Sequence, residues 1–279
     1  MDEIRSILVH LDASSGAMKR LRVAHRLAAT HGAELDVLYA VTPALLQYPL
    51  TTSTADGQLG ALLAAMDAQT CARVRADFER ERADIGLTNL AWKQADDYPQ
   101  PAIVPRAFEA DLLVLAKPAT DESQTAQVPN DFAPSVLIES GKPALMLPSI
   151  ETGTELGRTI LIAWKGTAAS ARAVSAALPL LRLAQSVHVV SWDESGGSAA
   201  HHPLPIECFL RRHAVSAKVH RCGRPEGNVG ELMLSKAADV DADMLVMGCY
   251  GHSRAREWWL GGATRTVLSA MTLPVLMSH

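Results

Sequence analysis

Short apolar runs alternate with stretches of helical periodicity along this chain. Residues 7–11, Ile-Leu-Val-His-Leu, form the first run, which Asp12-Ala-Ser-Ser-Gly16 ends. Leu21, Ala24, Leu27 and Ala28 then recur at helical spacing, and Gly32 closes that helix. A second strand is expected over 35–41, a loop rich in Thr, Ser and Pro over 43–57, and a long charged helix with an apolar stripe over 59–83. A third strand over 87–92, a short proline-broken helix over 98–108, and strands over 112–116 and 144–147 complete the first part. Apolar strands separated by helical patterns are buried on both faces, which indicates a parallel α/β sheet.

The pattern then starts again. Residues 151–157 are a polar, glycine-containing joint, after which Ile160-Leu-Ile-Ala-Trp164 repeats Ile7-Leu-Val-His-Leu11. A helix over 170–184 and a strand over 187–192 follow in the same order. Ala242-Asp-Met-Leu-Val-Met-Gly248 echoes Ala110-Asp-Leu-Leu-Val-Leu-Ala116, and Leu273-Pro-Val-Leu-Met277 echoes Lys142-Pro-Ala-Leu-Met146. Several echoes in one order predict two copies of one α/β domain, over 1–150 and 156–279, with a period too long for a solenoid.

Composition narrows the partners. The 279 residues carry 26 basic and 30 acidic side chains, a formal charge of −4, which argues against generic binding to nucleic acid or to an anionic membrane. No apolar run approaches the roughly 18 residues of a membrane helix. The acidic start, Met1-Asp-Glu-Ile-Arg-Ser, leads straight into a strand and does not read as a signal peptide, so the cytoplasm is expected. Cys71, Cys208, Cys222 and Cys249 include no CxxC pair, against a disulfide framework or a zinc ribbon. His201, His202, Cys208, His213, His220 and Cys222 lack the spacing of a strong zinc site, and no metal is assigned.

The densest chemistry follows the run Met244–Met247. Gly248, Gly251, Gly261 and Gly262 mark a loop ahead of a helix over 263–271. A glycine-rich loop between a strand and a helix start lets backbone N–H groups approach a phosphate; the bland alternative is a long connection whose glycines only turn the chain. The spacing G-x2-G-x9-G resembles the nucleotide-binding signature of the universal stress protein family, which continues with Ser or Thr. Here Gly262 stands at that hydroxyl position, and Thr264 offers a hydroxyl two residues on.

With both halves included, the chain resembles a tandem universal stress protein. The resemblance implies a Rossmann-like fold of the adenine nucleotide alpha hydrolase kind, each domain a five-stranded parallel sheet flanked by helices. It also implies ligands at the carboxyl ends of the strands, and dimer-like pairing of the halves, through their final strands or between chains as a homodimer. The family's Asp after the first strand is matched by Asp12 in the first half, where the bland reading is a helix N-cap. That half has no glycine between Gly86 and Gly141, and Asp121 and Glu122 would repel a triphosphate. The second half keeps the glycines but carries Lys165 in place of the Asp, in Ala163-Trp-Lys-Gly-Thr167. By resemblance, Val190 packs on the base, with Met247 and Gly248 beside it, while the helical pattern opens at Ala263. Arg254, Arg256 and Arg265 add positive charge, for which surface ion pairing is the bland reading. His252, Trp258 and Trp259 lie in the same loop, and Cys249 reads as a small packed residue.

The leading expectation is a non-enzymatic protein that binds ATP or another adenine nucleotide, with or without magnesium, through Ala163, Lys165, Val190, Met247, Gly248, Gly251, Gly261, Gly262, Ala263 and Thr264. The first domain would then be a degenerate half. Two alternatives are a slow ATP-hydrolysing enzyme and a ligand-free interaction scaffold. No Ser-His-Asp, Walker or HExxH arrangement favours the enzyme.

Overall fold

The computed structural model describes residues 3–47, 57–87, 90–95, 97–117, 127–149, 156–192, 205–250 and 262–279. They fall into two compact units, one of Ile4–Lys142 and one of Pro143–His279 together with Glu3. The first contains β1 (Ser6–Leu11), α1 (Ala17–His31), β2 (Glu34–Ala40), α2 (Ala44–Gln47), α3 (Gly57–Asp84), β3 (Trp92–Ala95), α4 (Pro99–Ala107), β4 (Leu112–Ala116) and α5 (Phe132–Ser140). Its strands lie in the order β3-β2-β1-β4 and pair in parallel. The helical stripe read from the sequence is the buried one: Leu21, Ala24, Leu27 and Ala28 of α1 are at most 6% exposed.

The second unit contains β5 (Ala144–Leu147), β6 (Thr159–Ala163), α6 (Ala168–Leu181), β7 (Ser186–Trp192), α7 (Pro205–Arg212), β8 (Lys218–Cys222), α8 (Val229–Asp239), β9 (Met244–Gly248), α9 (Gly262–Ala270) and β10 (Val275–Ser278). Five strands run parallel in the order β10-β9-β6-β7-β8. The sixth is β5, the last strand of the first repeat, which pairs antiparallel with β10, Leu145 opposite Leu276.

The repeated Ala-Asp before β4 and β9 has a physical reason. The Asp111 carboxylate accepts the backbone N–H groups of Arg5 and Ser6 at 2.9 and 3.1 Å. The Asp243 carboxylate does the same for Gly157, Arg158 and Thr159, at 3.0, 2.9 and 3.3 Å. Each aspartate thus fastens the amino end of its repeat's first strand, satisfying donors that would otherwise lack partners.

Two departures from the sequence pattern concern outer strands. The third strand is Trp92–Ala95, not 87–92. Leu87 belongs to the end of α3, where its N–H bonds the Arg82 carbonyl at 2.9 Å past Gly86 at φ +72°. This is a helix-closing turn that glycine permits and an apolar residue covers. The region 205–239 holds α7, β8 and α8, for which no element was expected. β3 and β8 end their strand orders and carry Lys93 and Gln94, or Lys218 and Arg221, so the continuous apolar run of a central strand is missing.

Candidate functional site

The carboxyl ends of β6, β7 and β9 bring three expected residues into one row. Ala163 is in register with Val190 on one side and with Met247 on the other, and all three are at most 5% exposed. The row is held in place by Trp164, whose N–H bonds the Val190 carbonyl at 2.9 Å. Gly248 follows Met247 and is in register with Ser278 of β10. A Cβ on Gly248 would lie 2.4 Å from the Ser170 nitrogen and 2.6 Å from the Ala169 carbonyl carbon. Gly248 therefore lets the first turn of α6 rest directly on β9. That turn is capped: Thr167 Oγ1 accepts the Ser170 N–H at 3.3 Å, and Ser170 Oγ accepts the Thr167 N–H at 3.0 Å. The reciprocal bonds settle two donors at the helix start.

Lys165 lies two residues past the row and is exposed. Gly262, Ala263 and Thr264 form the first turn of α9, where Thr264 is 4% exposed and Gly262 is open to solvent. This turn meets α8 closely, since a Cβ on Gly230 would stand 2.7 Å from the Ala263 carbonyl oxygen. Among the described residues, a Cβ on Gly262 would meet no atom within 4 Å. The family's hydroxyl residue therefore fits there, and Gly262→Ser is expected to fold as the parent does. If the loop holds a phosphate, one added hydrogen bond to a charged group tightens nucleotide binding about tenfold, measurable by calorimetry. Gly251, His252, Arg254, Arg256, Trp258, Trp259 and Gly261 lie outside the described residues, as do His201 and His202.

Cys249 and Tyr250 begin the loop. Burial pushes the Cys249 thiol up to about 12 against the opposing influence of Arg172, so it stays a packed thiol and not a thiolate. Tyr250 has φ +54°, and its buried hydroxyl has no hydrogen-bond partner among the described residues.

In the first unit the corresponding place is filled from within. Ile7 pairs with Leu112 as Ile160 pairs with Met244, so His10 occupies the position of Ala163. The His10 imidazole is fully buried, bonds the Ala40 carbonyl at 2.8 Å and lies 4.6 Å from the Phe132 ring. Asp12 is not the N-cap of α1; Gly16 takes that position. The Asp12 carboxylate instead accepts the Ser14 N–H at 3.0 Å and pairs with the buried Arg20 guanidinium at 2.6 Å. Arg20 Nε also donates to the His10 carbonyl at 3.1 Å. Burial alone would raise the Asp12 carboxyl, but Arg20, His10 and Ser14 outweigh it and hold the group at about 2. Burial lowers His10 to about 4, so its ring is neutral near pH 7. The sequence did carry a signal for this cluster. Arg20 falls on the apolar face of α1 beside Ala17, Leu21 and Ala24, where a cation needs an internal partner.

The model of the universal stress protein family matches the chain twice, over residues 3–128 and 157–279. The chain belongs to the universal stress protein family. It is a tandem member, because each repeat is matched separately. Among solved structures it is similar to a universal stress protein from Archaeoglobus fulgidus DSM 4304, at 15% identity and a TM-score of 0.71, over 99% of this chain and 96% of that one. A protein of unknown function from Pseudomonas aeruginosa PAO1 is also similar, at 19% identity and a TM-score of 0.60, over 99% and 92%. At such identities these likenesses establish the fold. No match was found among curated proteins. Among the described residues no helix of this universal stress protein is long and apolar enough to cross a membrane.

Proposed function

We propose that this universal stress protein binds an adenine nucleotide, ATP or AMP, without turning it over. In this reading the domain over 156–279 carries the ligand, with or without magnesium, and the domain over 1–150 is a structural half. The observation that carries the reading is the contrast at one position. Ala163 leaves a methyl group at the carboxyl end of β6, while His10 puts a buried imidazole at the same place on β1. Beside it, the aspartate that would meet a ligand in the first repeat is already neutralised by Arg20. Ala163, Val190 and Met247 then offer an apolar floor for a base, and Lys165 a point charge for phosphate. Binding would act by favouring one conformation that a partner recognises.

The test is an ATP titration of the full chain by calorimetry, with and without magnesium. Saturable binding with one ligand per chain is expected. Ala163→His, which copies the first repeat, is expected to weaken it at least tenfold; because Ala163 is buried, the larger side chain is also expected to cost about 1–3 kcal/mol of stability, so binding is measured below the melting range of the variant. No binding at millimolar ATP would sink the proposal, and steady phosphate release would replace it with the hydrolytic reading.

A further inference from the structure

An unusual polar contact lies between β7 and β8. His188 Nδ1 and His220 Nε2 are 2.8 Å apart, and their rings are nearly parallel, 6° between planes. The second nitrogen of His188 stands 3.0 Å from Ser186 Oγ. His188 is buried and His220 half-buried. A nitrogen–nitrogen contact at this distance is a hydrogen bond only when one nitrogen carries a proton and the other offers a lone pair. The pair therefore holds when both rings are neutral, and when one of them has taken an extra proton. With both protonated, two N–H groups face each other and like charges repel.

The surroundings discourage protonation further. Lys218, on β8, is in register with His188, and the charge of Lys236 on α8 acts on both rings. Lys236 also lies 3.7 Å from Asp239, whose side chain is 62% exposed. Both imidazoles titrate below the ordinary 6.5. The cause is burial first, then His220, Lys218 and Lys236 for His188, and burial followed by Lys236 and Lys218 for His220. β8 ends the strand order, so among the described strands its ladder runs to β7 alone.

We propose that the His188–His220 pair is a proton-sensitive latch that fastens the outer strand β8 to β7 at neutral pH and releases it in acid. The sign follows from linkage. The unfastened strand takes up protons that the paired rings refuse, so attachment is complete above about pH 6.5 and weakens as pH falls below it. The strand leads into α8, whose Asn228 Nδ2 donates to Thr266 Oγ1 of α9 at 2.8 Å. Attachment of β8 thus bears on the helix that opens with Gly262.

The test is backbone hydrogen exchange on the full chain between pH 7.5 and 5.5, corrected for the intrinsic rate. Protection over 219–222 is expected to fall at least tenfold more than protection over 160–163 of β6. His220→Gln keeps a hydrogen-bonding side chain without a titrating ring and is expected to abolish that excess. His10 also titrates low, but its effect falls on β1 in the other unit. A fall at β8 that only tracks β6, or that persists in His220→Gln, overturns the latch. An imidazole titration by NMR on the parent chain decides the matter without a variant. Uptake of a single proton by the pair down to pH 5.5 supports the latch, and two independent titrations near 6.5 overturn it.

Discussion

Gly248→Ala is expected to lower the unfolding free energy by about 3 kcal/mol or more, at the upper end of what overpacking costs. The new methyl would lie 2.4 Å from the Ser170 nitrogen, 2.6 Å from the Ala169 carbonyl carbon and 2.9 Å from the Ala169 Cβ. The first two obstacles are backbone atoms of α6, so no side-chain rotation relieves the overlap. Either α6 lifts from β9, breaking the capped turn at Thr167, or β9 shifts against β6 and β10. Urea denaturation of the parent and the variant measures the loss. Gly262→Ala is the control: with no atom of the described residues within 4 Å of its Cβ, it should stay within about 0.5 kcal/mol of the parent. Near-parent stability of Gly248→Ala would mean that the close helix–strand approach does not exist. The experiment also separates two roles for one glycine, because a loss of folding is distinct from a loss of phosphate contact in a folded protein.

The second large effect is at Arg20. Arg20→Met keeps most of the side-chain volume but leaves the Asp12 carboxylate buried, 6% exposed, without its cation. Removing one partner of a buried pair costs about 3–5 kcal/mol at neutral pH. In the parent the Asp12 carboxyl is held below its ordinary 3.8, at about 2. Its contribution is therefore complete above pH 3.8 and is lost as pH falls from there toward 2. Without Arg20, burial raises the same carboxyl, and acid relieves the penalty by neutralising it. The stability difference between the parent and Arg20→Met should thus be largest near pH 7 and shrink in acid. A difference that stays constant from pH 7 to pH 3 would show that Asp12 and Arg20 do not act as a pair. The double variant Arg20→Met with Asp12→Asn should recover part of the loss at neutral pH, because no unpaired charge remains.

The family and the α/β fold were legible in the chain for a physical reason. Central strands of a parallel sheet are buried on both faces, so 7–11, 112–116, 160–164 and 244–247 read as apolar runs, and the same order recurs in both halves. Outer strands escape that rule. Lys218 to Cys222, Lys-Val-His-Arg-Cys, holds three polar residues and no fully buried one, so no apolar run marks it as a strand. The glycine loop was legible as a spacing, and residues 251–261 remain a sequence argument.

What the sequence by itself determined is local: which segments can be buried strands, which helix faces are apolar, and that two repeats follow one plan. Tertiary structure decided how residues distant in sequence meet. It set Ala163, Val190 and Met247 in one row and placed Gly248 against α6. It also closed Asp12 onto Arg20 and joined His188 to His220 across 32 positions. Periodicity reports only whether a position is buried. Whether a buried charge is met by its own chain or left for a ligand depends on register between strands and on the reach of side chains from neighbouring helices.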